Sequence, residues 1–342
     1  MTSQKTTRVL VVDDSAFARK VLRETLASSP ALEVVGVARD GLEALEKIAE
    51  LKPDVVTLDL VMPNLDGIGV LRALPAVGAP RVVVVSISDQ NSALGIEALQ
   101  MGAVDIVQKP TALATDRLYE LSSELVAKVI AAGASRPRVG ELPVVQRVPR
   151  PVGGRTRLVV IGASTGGPQA LTRLLTALPA GVPCAIAIAL HIPPGYTEAL
   201  ARRLDDACAV RVSEASEGAE LEPGQVMIAR GGTHLRVRAS GNRLTAHLDQ
   251  SPNGSGFCPS VDVLFQSAAE AVGSAVLGVV LTGMGNDGVA GARAIDQVQG
   301  RTLTEAEGSC VVYGMPRAVV EANLSAGQAL IEDMAGKIVE SL

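Results

Sequence analysis

Five short apolar runs alternate with helical patterns over the first 135 residues, and this alternation constrains the fold more than any other feature of the sequence. The runs are rich in β-branched residues and apolar throughout, which is typical of strands buried on both faces. The pattern therefore predicts a doubly wound α/β domain with a five-stranded parallel sheet between two layers of helices. The predicted strands are residues 8–12, 33–38, 54–58, 81–87 and 105–107, and the predicted helices are 16–27, 42–51, 68–74, 93–101 and 118–132.

A change of composition separates this region from a second set of α/β signals. Residues 136–156 contain four prolines and five arginines and show little periodicity, which is typical of an extended linker. We therefore predict one domain at residues 1–135, a linker at 136–156 and a second domain at 157–342. In the second domain the predicted strands are 158–161, 185–190, 225–229 and 275–281, with a β-hairpin of 235–239 and 244–248, and the predicted helices are 168–178, 197–207, 261–272, 289–299, 316–322 and 329–341.

Acidic, hydroxyl and amine side chains follow four of the five predicted strands of the first domain. Asp13 and Asp14 come after the first strand and Asp59 after the third. In a flavodoxin-like sheet of order 2-1-3-4-5 these strands are neighbours, and ligands bind at their carboxyl ends. Converging carboxylates favour a hard cation such as Mg²⁺. Ser86 and Lys109, near the ends of the fourth and fifth strands, suit a phosphoryl group. Any one of these residues alone would be an ordinary solvated loop residue, but five at one edge favour a site.

These motifs resemble the receiver domain of two-component response regulators. The resemblance implies that Asp59 accepts a phosphoryl group from a histidine kinase. It implies that Asp13 and Asp14, with Asp59, hold the Mg²⁺ that phosphorylation needs, and that Lys109 and Ser86 contact the phosphoryl group. One position departs from the usual receiver pattern: Ile106 stands where many receivers have an aromatic switch residue. The motifs are Val-Val-Asp-Asp-Ser at 11–15, Leu-Asp-Leu-Val-Met-Pro at 58–63, Asp-Gly at 66–67, the serine at 86 and Lys-Pro at 109–110.

Composition disfavours several other classes of protein. The net charge is −5 and aromatic residues make up 2% of the chain, so neither phosphate neutralisation nor base stacking supports nucleic-acid binding. The four cysteines are widely separated, which predicts reduced thiols and a cytoplasmic location rather than disulfides or a zinc site. No signal peptide is expected. The uncharged stretch 174–197 contains four prolines that would break a spanning helix, so we expect no membrane insertion.

A serine on a sharp strand-to-helix turn is the main chemical signal of the second domain. Residues 158–168 read as a buried strand, a Gly-x-Ser-x-Gly turn around Ser164 and a helix start. Small neighbours expose such a serine, and the free N–H groups of the helix N-terminus suit an oxyanion. The same pattern also suits phosphate binding or a simple helix cap, so Ser164 needs partners before it indicates catalysis.

A serine nucleophile needs a base and an acid that orients the base. His191 ends the second predicted strand of this domain, and because consecutive parallel strands are often adjacent we expect it beside Ser164. Asp287 follows the fourth predicted strand and precedes a helix, whose N-cap is its alternative role. His234 and His247 belong to the hairpin, where we expect them to be structural or exposed. The order Ser, His, Asp differs from that of α/β-hydrolases and indicates a different hydrolase fold.

The second domain resembles the protein-glutamate methylesterases of bacterial chemotaxis, the CheB type. That family's architecture is a receiver domain followed by a linker and a methylesterase domain, so the resemblance covers nearly the whole chain. The motifs are Gly-Ala-Ser-Thr-Gly-Gly at 162–167, His-Ile-Pro-Pro-Gly at 191–195, Pro-Ser-Val-Asp-Val-Leu-Phe at 259–265, Leu-Thr-Gly-Met-Gly-Asn-Asp-Gly at 281–288 and Val-Val-Tyr-Gly-Met-Pro at 311–316.

This resemblance implies a mechanism, a substrate and partners. Ser164 would be the nucleophile, His191 the base and Asp287 the acid that orients it, with backbone N–H groups at Thr165 and Met284 holding the oxyanion. The substrate would be a glutamate methyl ester on a methyl-accepting chemoreceptor, hydrolysed to glutamate and methanol, with receptor glutamine deamidation as a second activity. The phosphodonor would be a chemotaxis histidine kinase. In this family the unphosphorylated receiver covers the catalytic cleft, and the catalytic domain requires no metal or other cofactor.

Two residues depart from the family pattern, and two alternative functions can be weighed from the sequence. Leu190 stands where Gln is common in the family and Arg230 where Pro is common, and neither change removes a catalytic group. A nucleotide-binding turn predicts an acid at the end of the next strand, where this chain has His191 instead, and a P-loop lysine, which is absent. A phosphorylation-controlled binding module without esterase activity would need no triad, whereas every proposed triad member is present.

Overall fold

The computed structural model describes residues 6–75, 77–86, 92–109, 115–135, 156–252 and 256–342. The chain divides into two compact units, Met1–Glu141 and Leu142–Leu342. Almost all of the predicted linker lies outside the described residues, so its bounds stay a prediction. Among the helices that the structure describes, none has both the length and the apolar character needed to span a bilayer. The uncharged stretch 174–197 instead contributes the end of one helix and a complete buried strand of the second unit.

The first unit is the predicted doubly wound parallel sheet. Its strand order is β2-β1-β3-β4-β5 and every pairing is parallel, which confirms the expected order 2-1-3-4-5. The strands are β1 (Thr7–Val12), β2 (Leu32–Ala38), β3 (Val55–Leu58), β4 (Arg81–Ser86) and β5 (Asp105–Gln108). The helices are α1 (Ala16–Ala27), α2 (Gly41–Leu51), α3 (Gly67–Ala73), α4 (Ser92–Gln100) and α5 (Thr115–Ala134).

Local sequence accounts for where three helices of this unit begin. Ser15, Asp40 and Asp66 are the N-cap residues of α1, α2 and α3, and the side chain of each accepts a hydrogen bond from a backbone N–H in the first turn. Gly67 starts α3 where a Cβ atom would meet the carbonyl oxygen of Asp59 at 2.4 Å. A residue without a side chain is therefore needed for α3 to begin beside the end of β3.

The second unit is built on a seven-stranded parallel sheet of order β14-β13-β12-β6-β7-β9-β8, with a separate antiparallel hairpin of β10 and β11. The strands are β6 (Leu158–Ala163), β7 (Ala185–Leu190), β8 (Arg211–Glu214), β9 (Gln225–Ile228), β10 (His234–Ser240), β11 (Arg243–Asp249), β12 (Val276–Val280), β13 (Arg301–Glu305) and β14 (Gly327–Ala329). The helices are α6 (Gly167–Ala177), α7 (Thr197–Ala207), α8 (Val261–Val272), α9 (Val289–Gln297), α10 (Met315–Glu321) and α11 (Ile331–Glu340).

The sequence interpretation missed three strands of this sheet, β8, β13 and β14. Their sequences are RVSE, RTLTE and GQA, so they lack the continuous apolar run of the central strands. β8 and β14 are edge strands, and β13 pairs with β14 on one side, so all three lie away from the centre of the sheet. Pairing with a neighbouring strand fixes these segments, and such pairing is not visible in local sequence. The last helix consequently begins at Ile331, two residues later than predicted.

The hairpin packs against α8 and so holds that helix over the sheet. Leu235 and Val237 of β10 and Leu244 of β11 share one buried apolar cluster with Leu264 and Phe265 of α8. The cluster extends to the sheet residues of β6, β7 and β12. This packing fixes where the N-terminus of α8 lies, which matters for the site below.

Candidate active site

Strand order brings the serine and histidine signals of the second unit to one edge of the sheet. β6 lies between β12 and β7, and its last residue, Ala163, is in register with Leu190, the last residue of β7. Ser164 and His191 therefore leave adjacent strands at the same level, and the His191 N–H donates to the carbonyl oxygen of Ala163 at 3.0 Å. The predicted neighbourhood of the serine and the histidine is observed.

Glycines let the turn around Ser164 pack tightly. Gly166 has φ +79° and is the N-cap of α6, which has no side-chain cap. The Ser164 hydroxyl is therefore not the cap of this helix, and the residue is buried, with 6% of its surface exposed. A Cβ atom on Gly283 would lie 2.7 Å from the Ser164 Cβ atom, so the Thr-Gly-Met-Gly loop after β12 directly contacts the serine.

His191 connects the serine turn to a buried carboxylate. Its Nε2 atom lies 2.8 Å from Oδ2 of Asp287. Because a carboxylate only accepts, Nε2 carries the hydrogen and Nδ1 is left as the basic nitrogen. Nδ1 is buried and has no hydrogen-bond partner among the described residues. The ring of Phe257 stacks on the imidazole with centroids 4.2 Å apart and planes 6° from parallel, which restricts its rotation.

The carboxylate of Asp287 is fully engaged at the N-terminus of α8. Oδ2 accepts the Val261 N–H at 2.7 Å in addition to His191, and Oδ1 accepts the Ser260 hydroxyl and the Asp262 N–H, both at 3.0 Å. Burial opposes ionisation of this group, but the hydrogen bonds and the charge of His191 outweigh it and lower the pKa of Asp287. Asp287 is not the N-cap of α9, because that position is taken by a glycine with no side-chain bond.

The two residues named for the oxyanion are Thr165, which follows the serine, and Met284, which follows the glycine that contacts it. Thr165 is fully buried, and its carbonyl oxygen accepts the Thr282 hydroxyl at 3.0 Å. Met284 belongs to the loop after β12, whose position is fixed because Gly283 accepts hydrogen bonds from two N–H groups of the α10 start, at 3.1 and 2.8 Å. Their role as oxyanion donors stays a prediction.

Sequence reasoning missed a buried glutamate beneath this loop. Glu305, at the end of β13, is 0% exposed, and its carboxylate accepts the Thr282 N–H at 2.8 Å and the Ser309 hydroxyl at 2.9 Å. Thr282 in turn accepts the Ser164 N–H at 3.0 Å through its carbonyl oxygen. Glu305 thus anchors the residue that holds the backbone of the nucleophile. No local signal marks it, since β13 itself was not predicted.

The other two histidines occupy different environments. His234 is 2% exposed, and its Nδ1 atom accepts the N–H of Ser260, the same residue whose hydroxyl reaches Asp287. Burial lowers the pKa of His234, which favours the neutral ring that this acceptor role requires. His247 lies partly exposed on β11, 2.9 Å from the carboxylate of Glu217. Both are therefore structural in the described part of the chain, and neither contacts the serine turn.

The first unit brings its three acids together at the carboxyl ends of β1 and β3. Carboxylate oxygens of Asp13, Asp14 and Asp59 lie within 4.8 Å of one another, an all-oxygen set of the kind that Mg²⁺ prefers. The Nζ atom of Lys109 lies 2.8 Å from Oδ2 of Asp13 and donates to Oδ2 of Asp59 at 2.6 Å. Of this cluster only Asp14 is exposed, so a cation would approach from its side.

Charge and burial in this cluster suit a site for an anionic group. Burial raises the pKa of Asp59. The negative charge of the neighbouring Asp13 also raises this pKa, whereas Lys109 lowers it, and the net direction is upward. Burial disfavours the ammonium of Lys109, but its two carboxylate partners outweigh this and raise its pKa, so it stays charged. Ser86, at the end of β4, is 0% exposed and its hydroxyl has no hydrogen-bond partner among the described residues.

The three departures noted in the sequence have simple structural settings. Ile106 is fully buried in β5. Leu190 is fully buried too, and its side chain fills the space beside Gly167, where a Cβ atom would come within 2.5 Å. Arg230 is half-exposed and pairs with Glu214 at 3.0 Å. None of the three displaces a residue of either site.

Comparison with known proteins identifies the family of each unit. A family model described as CheB methylesterase matches residues 159–338, and a response regulator receiver domain model matches residues 9–120. A Myxococcus xanthus protein named protein-glutamate methylesterase/protein-glutamine glutaminase 5 is 60% identical, covering 98% of this chain and 97% of that protein. A protein-glutamate methylesterase/protein-glutamine glutaminase of Symbiobacterium thermophilum is 45% identical, covering 93% of this chain and 92% of that protein.

A solved structure supports the fold of the second unit. The crystal structure of the Thermotoga maritima CheB methylesterase catalytic domain is 37% identical with a TM-score of 0.54, covering 55% of this chain and 99% of that domain. Because one family model matches more than half of the chain and a relative is 60% identical along nearly its whole length, this chain belongs to the CheB methylesterase family and carries a response regulator receiver domain ahead of its methylesterase domain.

Proposed function

We propose that this protein hydrolyses glutamate methyl esters on methyl-accepting chemoreceptors, releasing methanol, and that phosphorylation of its receiver domain controls the rate. Deamidation of receptor glutamines is its second activity, as the names of its relatives indicate for those proteins. One observation carries the proposal. His191 donates through Nε2 to the buried Asp287 and leaves, next to the turn of Ser164, a buried Nδ1 that has no hydrogen-bond partner among the residues that the structure describes.

The path of the proton during acylation depends on which imidazole nitrogen of His191 is unprotonated. Ser164 attacks the ester carbonyl while its proton passes to Nδ1 of His191, because Nε2–H is already committed to Asp287. The imidazolium that forms is stabilised by the ionised Asp287, whose lowered pKa keeps the charge in place. As the tetrahedral intermediate collapses and its C–OCH₃ bond breaks, Nδ1–H protonates the departing methoxide oxygen to give methanol. Water hydrolyses the acyl-enzyme by the reverse sequence, with Nδ1 accepting its proton.

Backbone N–H groups at Thr165 and Met284 are the proposed donors to the oxyanion. Support comes from the loop contacts, since the residue before Met284 touches Ser164 and is fixed by the start of α10. Each such donor contributes about 10²–10³ in kcat in comparable enzymes. The same acyl intermediate accounts for deamidation, with ammonia as the leaving group in place of methanol.

The receiver site is proposed to accept a phosphoryl group on Asp59 from a chemotaxis histidine kinase. Asp13, Asp14 and Asp59 would hold Mg²⁺, which when bound neutralises charge on the phosphoryl oxygens. Lys109 can remain paired with the phosphorylated side chain, since its ammonium already contacts Asp59. Ser86 supplies a buried hydroxyl that has no hydrogen-bond partner in the described part of the chain and that would donate to the new oxygens. We also propose a cytoplasmic location, which four free cysteines favour.

Two measurements separate this function from a phosphorylation-controlled binding module without esterase activity. A fluorophosphonate probe is expected to label Ser164, and Ser164→Ala or His191→Ala should each reduce methanol release from methylated receptor membranes by about 10⁶-fold. His234→Ala serves as the control, with at most about a tenfold loss, because that ring acts only through Ser260. A binding module would show neither labelling nor methanol release. Full activity of a folded His191→Ala variant would contradict the assignment.

A further inference from the structure

Two aspartates of the second unit lie at the starts of α8 and α9, and each accepts N–H groups from the start of the other helix. Asp287, which precedes α9, accepts N–H groups from Val261 and Asp262 in the first turn of α8. Asp262, within that turn of α8, accepts through Oδ1 the N–H of Gly288 at 2.9 Å and of Gly291 at 2.6 Å, at the start of α9. Each carboxylate therefore satisfies donors that its partner's helix cannot satisfy internally.

Close approach of the two helices makes this exchange possible. A Cβ atom on Gly291 would lie 2.4 Å from the Cβ atom of Phe265 and 3.2 Å from the Cα atom of Asp262. Gly288, with φ +107°, is the N-cap of α9 and brings no side-chain acceptor of its own. The N–H groups of Gly288 and Gly291 therefore take their acceptor from Asp262, and the residue directly before Gly288 is the acid that orients His191.

We propose that Asp262 is a positioning residue for the reaction: by binding the N–H groups of Gly288 and Gly291 it sets the orientation of Asp287 toward His191. The proposal rests on the triad of the proposed function and adds a residue to which no role has so far been given. Asp262 acts through backbone geometry. Its carboxylate Oδ1 atom accepts from the backbone of α9, whereas its backbone N–H donates to Asp287, so the two contacts use different atoms.

Electrostatics support the same arrangement. Burial raises the pKa of Asp262 to about 6, and the charge of the nearby Asp287 acts in the same direction. Two neighbouring carboxylates repel one another, and the positive ends of α8 and α9 offset this repulsion. Such a pair is costly unless its hydrogen bonds are kept, and the donors to the two carboxylates are N–H groups at the starts of α8 and α9, the Ser260 hydroxyl and His191.

The test compares four full-length variants in steady-state methanol release from methylated receptor membranes. Asp262→Ala removes the acceptor and is expected to lower kcat by about 10², the loss typical of a misplacement of about 1 Å, with little change in KM. Asp262→Asn keeps an acceptor oxygen and should retain activity within about threefold of wild type. Asp262→Glu keeps the charge but moves the acceptor by one methylene, so it should lose about tenfold. Asp333→Ala, the same change in the first turn of α11, is the control and should be unaffected.

A spectroscopic readout separates orientation from general destabilisation. In ¹⁵N-histidine-labelled protein the Nε2–H of His191 should give a low-field proton signal, because it donates to a carboxylate at 2.8 Å. This signal should persist in Asp262→Asn and shift or broaden in Asp262→Glu, and in Asp262→Ala if that variant folds. Wild-type kcat in the Ala or Glu variant would overturn the proposal. So would equal loss in Asn and Ala, or a fall in kcat while the His191 signal is unchanged.

Failure of the proposed function would look different. In that case Ser164→Ala would release methanol as fast as wild type, whatever the Asp262 variants do. The His191 signal depends only on the Asp287 contact, so it still reports whether Asp262 sets that contact.

Discussion

Replacement of Asp287 by asparagine tests the triad with the smallest possible change of shape. The carboxylate accepts four hydrogen bonds, two on each oxygen, from His191, Val261, Ser260 and Asp262. An asparagine amide has one acceptor oxygen and one NH₂ donor in the same volume. Wherever the NH₂ group is placed, it must face at least one backbone N–H that had an acceptor in the wild-type protein.

Both placements of the amide predict a loss of rate and of stability. If the NH₂ group replaces Oδ2, it faces the Val261 N–H and forces Nε2 of His191 to accept, so Nδ1 carries the hydrogen and cannot take the Ser164 proton. If it replaces Oδ1, it faces the Asp262 N–H, and the negative charge opposite the imidazolium is still lost. A wrong tautomer costs about 10⁴ in kcat in the comparable triad, or about 5 kcal/mol of barrier. An unsatisfied buried donor adds about 1–3 kcal/mol of lost stability.

The assay is methanol release from methylated receptor membranes, with thermal unfolding measured on the same preparations. Asp296→Asn, an identical change at an exposed position of α9, is the matched control and should alter neither quantity. Ser164 should also react more slowly with a fluorophosphonate in Asp287→Asn, because activation of the serine depends on the histidine tautomer. A folded Asp287→Asn variant with kcat within about tenfold of wild type would refute the assignment of Asp287 as the orienting acid.

Four further predictions concern the receiver, the domain organisation and the buried acids. Acetyl phosphate with Mg²⁺ should form an acyl phosphate and raise methanol release, and Asp59→Asn should abolish both effects; a normal rise in the variant would place the phosphosite elsewhere. A fragment starting at Arg157 should release methanol faster than the unphosphorylated full-length protein and be insensitive to acetyl phosphate, whereas a folded but slower fragment would contradict inhibition by the receiver. Glu305→Leu leaves the Thr282 N–H without its acceptor and should lower stability by about 1–3 kcal/mol in chemical denaturation, with kcat reduced because the Ser164 backbone loses its anchor. The pKa of Asp262 in the folded state is about 6, above its ordinary value of 3.8, so ionisation of this carboxyl lowers the stability of the wild-type fold as pH rises from about 4 to about 6. Asp262→Asn lacks this titration, so its melting temperature relative to wild type should rise between pH 4 and 7. A difference that does not change with pH would exclude this titration.

The predicted sheet of the receiver was confirmed because its signals are local. Each of its strands is a short apolar run, and the observed order 2-1-3-4-5 is that of the flavodoxin-like sheet expected for the alternation of strands and helices. In the second unit the same reasoning found the central strands and the hairpin, whose turn has Gly241 at φ +58°. It missed β8, β13 and β14, since short polar strands at or near an edge become strands through their neighbours.

The acids and hydroxyls of the receiver site were predictable for a similar reason. Residues directly after a buried parallel strand must emerge at one edge of the sheet, so Asp13, Asp59 and Lys109 could be brought together from their positions alone. The same logic placed Ser164 and His191 side by side before the register of β6 and β7 was known. The placement of these side chains at one edge of a sheet is a consequence of strand order, so a sequence that determines strand order also determines their placement.

The groups that support the triad belong to the tertiary structure alone. Ser260, Asp262, His234 and Glu305 reach the site from α8, the hairpin and β13, at sequence separations that no periodicity connects to Ser164 or Asp287. A buried carboxylate or imidazole needs partners wherever the fold happens to place donors, and only the packing of the hairpin on α8 and of α8 on α9 decides where those are. The sequence by itself therefore determined which residues could react, because reactive groups follow strands. The orientation and protonation of those residues were decided by long-range hydrogen bonds between elements that only the folded chain brings into contact.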